Sequence, residues 1–252
     1  MESGDWSLMP ARVLIKDEPK CLIWSERLED GTPAVLKMYR HRGAVGFLRE
    51  SLLGFRVARE FAALDCLERL GIPCSPPLFW KRGYDRAHGF HEILATREIQ
   101  GAVALDAAWT TPETAKVEID GEALFEAVAR MHEGGVFHGA LSPKNILVTP
   151  GGSLPAAFHL VDTARAKLFP ASIFGLKIAA YDLLQLVVKL ERFLGQGACK
   201  PYLRRYGLDT ASIEGLYAEA AEYGTLRRRD KLTQARLTAH IEWAAWSARR
   251  PG

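Results

Sequence analysis

The chain has 252 residues, 48% of them apolar and 25% charged, with a net charge of +3. That length suits one large domain or two small lobes with a real core, and the composition is that of a globular protein. So small a net charge gives no argument for nucleic-acid binding. The start, MESGDWSLMP, has no basic segment ahead of an apolar run and does not read as a signal peptide. No uninterrupted apolar run reaches the roughly 18 residues that a membrane span needs. Cys21, Cys66, Cys74 and Cys199 show no CxxC pairing and no His at metal-ligand spacing. They predict reduced, mostly buried thiols in a cytoplasmic protein.

The first 40 residues read as strands: ARVLI, then CLIWSERL, a turn at EDGTP, and AVLKMYR. In the third run Val35, Lys37 and Tyr39 share one face while Leu36 and Met38 take the other. Local pattern favours a Lys37 that snorkels at a sheet edge. From Arg56 to Leu70, Val57, Phe61, Leu64, Leu67 and Leu70 recur at steps of three or four, which predicts an amphipathic helix stopped by Gly71 and Pro73. Glu60 lies at the edge of that apolar stripe and by itself reads as a solvent-facing charge.

Within SPPLFWKRGYDRAHGFHEILATREIQGAVAL the run HEILATREI predicts a strand, broken at Gln100-Gly101. Residues 96–103 make a joint between a strand-rich first part and a helical remainder. GEALFEAVARMHEGG predicts a helix with Leu124, Val128 and Met131 facing inward, ended by Gly134-Gly135. The loop GVFHGALSPKN follows. NILVTPGGSLPAAFHLVDTARA then predicts a hairpin with a Pro-Gly-Gly turn, closing on Asp162. IAAYDLLQLVVKLERFL is apolar nearly all round and predicts a helix buried in the second part.

The chain order is a strand with Lys37, a helix with Glu60, a joint, a helix, a loop with His138 and Asn145, a hairpin, and Asp162. This resembles the protein-kinase-like fold over most of the chain. The resemblance implies an α+β, bilobal architecture, with a small strand-rich N-lobe over 1–99 and a larger, mainly helical C-lobe over 100–252. It implies ATP and Mg²⁺ as cofactors. Lys37 would pair the α- and β-phosphates, Glu60 would hold Lys37, and Glu98 at the joint would belong to the nucleotide site. Asn145 and Asp162 would give the metal its hard oxygen ligands. His138 would be a scaffold residue, and Asp182 would anchor the loop from beneath.

The details depart from serine/threonine protein kinases. Gly139 follows the loop His, VDTARAK stands at the metal site, no Ala-Pro-Glu segment follows, and KDEPK replaces a glycine-rich turn. The chain more closely resembles the lipopolysaccharide core kinases of Gram-negative bacteria, which phosphorylate Kdo or heptose sugars. The likeness rests on KMYRHRGAVGFLRESLLGFRVAREF, LERLGIPCSPPLFW, ARMHEGGVFHG and PYLRRYG. Aminoglycoside and choline phosphotransferases share the HG-x-L loop and are the alternative. Arg40, Arg42 and Arg49, with Lys144 in the loop, could meet an anionic sugar acceptor. Arg227 to Arg229 and Lys231 make a second basic group. LTAHIEWAAWSARR, with Ile241, Trp243 and Trp246, would pack on the second lobe or rest on an anionic membrane face.

One position breaks the pattern. Ala140 stands where the resemblance expects the Asp that takes the acceptor hydroxyl's proton. Neither Ser142 nor Lys144 replaces a carboxylate base, so the chain is expected to be inactive or very slow. Because Lys37, Glu60, Asn145 and Asp162 are all present, the reading favours an active parent enzyme altered from Asp to Ala, with a natural nucleotide-binding pseudokinase as the alternative.

Overall fold

The computed structural model describes residues 12–41, 43, 46, 48, 55–111, 117–150 and 155–226, with side chains through 219. Arg42, Arg49, the basic group at 227–231 and the Trp-rich segment lie outside the described residues. The chain divides into two compact units, Met1–Asp65 with Ser75–Gln100, and Cys66–Cys74 with Gly101–Gly252.

The first unit is built on a five-stranded antiparallel sheet in the order β1-β2-β3-β5-β4. Its strands are β1 (Val13–Glu18), β2 (Cys21–Arg27), β3 (Pro33–Arg40), β4 (Pro77–Asp85) and β5 (Gly89–Arg97). The alternation read in AVLKMYR is realised. Ala34, Leu36 and Met38 bury one face of β3 with Trp24, Ile93 and Ala95, leaving Lys37 and Tyr39 to the other. Helix α1 (Arg56–Arg69) has Val57, Leu64 and Leu67 buried along its apolar stripe, and Gly71 at φ 64° ends it. Strand β4 is absent from the sequence reading. It is an edge strand with exposed Lys81 and Arg82, so no apolar alternation marks it, and it pairs with β5 from Pro77↔Thr96 to Asp85↔Gly89.

The second unit holds β6 (Val103–Ala104), α2 (Leu105–Thr110), α3 (Gly121–Glu133), β7 (Val136–Phe137), a 3₁₀ turn at Pro143–Asn145, β8 (Ile146–Val148), β9 (Phe158–Leu160) and β10 (Lys167–Leu168). Helices α4 (Lys177–Leu194), α5 (Lys200–Tyr206) and α6 (Thr210–Leu226) complete it. Asp120 caps α3 by accepting from the Ala123 N–H at 2.9 Å. Leu124, Val128 and Met131 on α3 are fully buried, as their spacing requires. At Gly135, φ 75°, a Cβ would lie 2.5 Å from the Phe169 carbonyl oxygen, so only glycine fits this exit from α3. Helix α4 is buried along most of its length but ends exposed, with Phe193 and Leu194 more than a third open. The hairpin is the pair β8/β9, in register Ile146↔Leu160 to Val148↔Phe158; residues 151–154 of its turn lie outside the described residues. Among the described residues, no helix is long and apolar enough to cross a membrane.

Candidate functional site

In the first unit a buried carboxylate collects the strand's polar side chains. Lys37 Nζ donates to Glu60 Oε1 at 3.0 Å, and the Tyr39 hydroxyl donates to Glu60 Oε2 at 3.0 Å. Residues two apart on a strand share a face, which is why both reach the same partner. Glu60 is only 2% exposed. This corrects both local readings: Glu60 does not face solvent, and Lys37 does not snorkel. The edge of the α1 stripe that carries Glu60 lies against the sheet. The Arg56 guanidinium sits 4.2 Å from the centre of the Tyr39 ring. Burial, and after it the negative Glu60, hold the Tyr39 phenol far above its usual range, so it stays protonated and donates. Lys37 keeps 16% of its side chain open, and its ammonium is fixed by Glu60.

In the second unit one carboxylate holds a loop by its backbone. Asp182, fully buried on α4, accepts from the His138 N–H at 2.7 Å and the Gly139 N–H at 2.9 Å. His132 Nε2 lies 3.4 Å from Asp182 Oδ2, and His132 Nδ1 lies 2.8 Å from the Tyr206 hydroxyl. A carboxylate accepts, so the His132 Nε2–H is the group that faces Asp182. Burial first, then Asp182, raise the Tyr206 phenol well above its usual range, so it stays protonated. Gly139 sits at φ 74°, where a Cβ would meet the Arg165 carbonyl at 2.6 Å. His138 is fully buried, and desolvation pushes its imidazole below the usual value although Asp182 and Asp162 pull the other way. The ring itself is enclosed by the fold, with no part of the residue open to solvent.

The hairpin register brings two oxygen donors to neighbouring positions. Asn145 precedes β8 and Asp162 follows β9, and the Val161 N–H donates to the Asn145 carbonyl at 3.0 Å. Asn145 Nδ2 donates to the Ala140 carbonyl at 2.8 Å, leaving its Oδ1 as the acceptor still to be used. Asp162 is at φ 59°, the one non-glycine residue with positive φ among the described residues. An amide oxygen and a carboxylate are hard ligands, and Mg²⁺ takes one or two such protein groups and completes its shell with water and phosphate. Among the described residues no group of three His, Cys, Asp or Glu could hold a metal ion without such help. The donor set therefore fits a phosphate-borne Mg²⁺ and not a closed protein cage.

Of the remaining sequence candidates, Ala140 is half-buried and Lys144 is exposed. Arg40 is engaged locally, 3.2 Å from Asp17 and 3.4 Å from the Glu18 carbonyl. Glu98 is half-buried just after β5, its N–H bonded to the Pro33 carbonyl at 3.0 Å. Tyr39, His132 and Tyr206 were missed. For Tyr39 the signal was present, since it shares the face of Lys37; for the other two the partners are far apart in sequence.

A family model described as lipopolysaccharide kinase (Kdo/WaaP) matches residues 5–190. The chain belongs to this family. No curated protein sequence matches it. Among solved structures, WaaP in complex with acyl carrier protein is similar with a TM-score of 0.60 and 18% identity, over 85% of this chain and 88% of that one. That likeness shows the fold, which is α+β and kinase-like as the resemblance implied. In this member of the Kdo/WaaP family the carbonyl of Ala140 is held by Asn145, and the preceding His138 and Gly139 amides by Asp182.

Proposed function

We propose that the chain binds Mg-ATP as a lipopolysaccharide core kinase does and, with Ala140 in place of the base, transfers phosphate slowly or not at all. In this reading Lys37 pairs the α- and β-phosphates, Glu60 holds it, and Asn145 with Asp162 supplies protein oxygens to Mg²⁺. The metal, when bound, would neutralise charge on the phosphates. His138 and Asp182 keep the loop in shape. Lys144, exposed in the 3₁₀ turn, is the residue there with charge to offer an anionic acceptor, a Kdo or heptose hydroxyl of the lipopolysaccharide core.

The observation that carries the reading is that the Lys37–Glu60 pair and the Asp182-held loop are both assembled, while the acceptor's base is a methyl group. A general base contributes about 10²–10⁴ in rate. Calorimetric titration should therefore give Mg-dependent ATP binding to the chain as it stands, and Ala140→Asp should raise phosphorylation of core sugars by about that factor. No nucleotide effect with or without Mg²⁺ would end the reading. A reverted chain active on aminoglycosides or choline and inert on core sugars would move it to those phosphotransferases. A reverted chain that binds ATP and phosphorylates nothing would make it a pseudokinase scaffold. The similar WaaP structure holds acyl carrier protein, and co-purification tests that partner here. Cosedimentation with anionic vesicles tests a peripheral position at the inner membrane, the role offered for the Trp243 and Trp246 segment.

A further inference from the structure

Glu92 is a charged side chain for which the proposed phosphoryl-transfer roles leave no task. It lies in β5, directly before the apolar residues Ile93, Leu94 and Ala95, and is fully buried. On the neighbouring strands it is paired with Tyr39 on β3 and Arg82 on β4, so it shares the sheet face that carries Lys37 and Tyr39. Its Oε2 accepts the backbone N–H of Val57 at 3.0 Å. Its Oε1 lies 2.7 Å from His41 Nε2, on the first residue after β3. The Arg82 guanidinium in turn sits 4.8 Å from the Phe55 ring centre, just ahead of α1.

Val57 is the second residue of α1, whose first turn contains no acidic side chain and does contain Arg56 and Arg59. The first N–H groups of a helix have no partner within it and carry partial positive charge, and two arginines there aggravate the imbalance. A carboxylate on the sheet supplies what the helix's own sequence lacks. Val57 stands about one turn before Glu60. Fixing its amide fixes the turn from which Glu60 reaches Lys37 and Tyr39.

We infer that Glu92 is a positioning residue: by capping α1 from the sheet it sets where the Glu60 carboxylate meets Lys37. Its value to catalysis rests on the nucleotide-binding role proposed above for Lys37, but the positioning itself is measured without nucleotide. Acetic anhydride labels free lysine amines, and the Lys37 rate can be read by mass spectrometry against exposed Lys81 on β4. Glu92→Ala should raise the Lys37/Lys81 ratio by about threefold to tenfold, as Glu60 loses its fixed place. Glu92→Gln keeps an oxygen for Val57 and should raise it less. Ile93→Ala, in the core on the opposite sheet face, should lower Tm and leave the ratio alone. In the same proteins Glu92→Ala should weaken Mg-ATP binding by a similar factor.

A ratio equal to wild type in both Glu92 variants overturns the inference, as does a ratio that rises equally in Ile93→Ala. If Glu92→Ala does not fold, Glu92→Gln decides, and an unchanged ratio there overturns it. A wild-type chain that binds no nucleotide would end the functional reading while leaving the labelling result to stand by itself.

Discussion

The two units each bury one decisive carboxylate, and they use it differently. Glu60 takes its donors from side chains, the Lys37 ammonium and the Tyr39 hydroxyl. Asp182 takes two of its donors from backbone, the amides of His138 and Gly139, with His132 behind. The first arrangement fixes a charge, whereas the second fixes the course of a chain. It follows that the first unit is sensitive to which side chains it carries. The loop of the second unit is indifferent to the side chain at 140, because what holds residue 140 is its own carbonyl, through Asn145.

The largest effect expected from that contrast is at Asp182. Asp182→Ala leaves buried amides and His132 without an acceptor, a cost of about 3–5 kcal/mol. Urea unfolding should show it as a large fall in midpoint, with Asp182→Asn falling less because one acceptor oxygen remains. A variant as stable as wild type would remove the distinction between the two carboxylates. Next is Tyr39→Phe, which takes a hydroxyl donor from buried Glu60 and should cost about 1.5–3 kcal/mol, as hydrogen bonds to charged groups do. Mg-ATP affinity should fall less than in a Lys37 variant, because the ammonium pair survives.

How much of this was legible follows from how local each partnership is. The Lys37 strand, the α1 stripe and the loop announce themselves by spacing within a few residues, and the β8/β9 register follows from one hairpin. Asp162 beside Asn145 is thus readable from sequence once the hairpin is recognised. Glu92 capping Val57 spans 35 residues, and Tyr206 on His132 spans 74. Such partners are chosen by the packing of whole elements, and no periodicity encodes them. Strand β4 was illegible for a different reason: an exposed edge strand carrying Lys81, Arg82 and Asp85 has the composition of a loop. The partners of Arg40 on β1 were hidden as well, since they come near only when the strands pair.

A smaller effect separates the units by pH. Burial holds the His138 pKa below the ordinary imidazole value of 6.5. As pH falls through about 6.5 the unfolded chain takes up a proton that the folded one refuses. The unfolded state then binds more protons, so stability falls with falling pH, by at most about 1.4 kcal/mol per pH unit for this one group. Above that window both states are neutral at this residue and the dependence vanishes. Unfolding free energies at pH 7.5 and 5.5 should differ in wild type, and the His138→Asn variant should lose that part of the slope. A slope unchanged in the variant would mean that His138 titrates alike in both states.

The smallest effect is the sharpest test of the comparison. Ala140 is half-buried, its carbonyl is held by Asn145, and its neighbours' amides are held by Asp182. None of these hydrogen bonds runs through its methyl group. Ala140→Asp should therefore change the unfolding free energy by no more than about 0.5 kcal/mol, the ordinary range for a substitution away from structural contacts, even where it restores activity. A loss of several kcal/mol would mean that the loop has adapted to alanine, with the surrounding backbone closed over the space a carboxylate needs. In that case the loop's indifference to its side chain fails, and the absence of a base belongs to the architecture of this member and not to one exchanged residue.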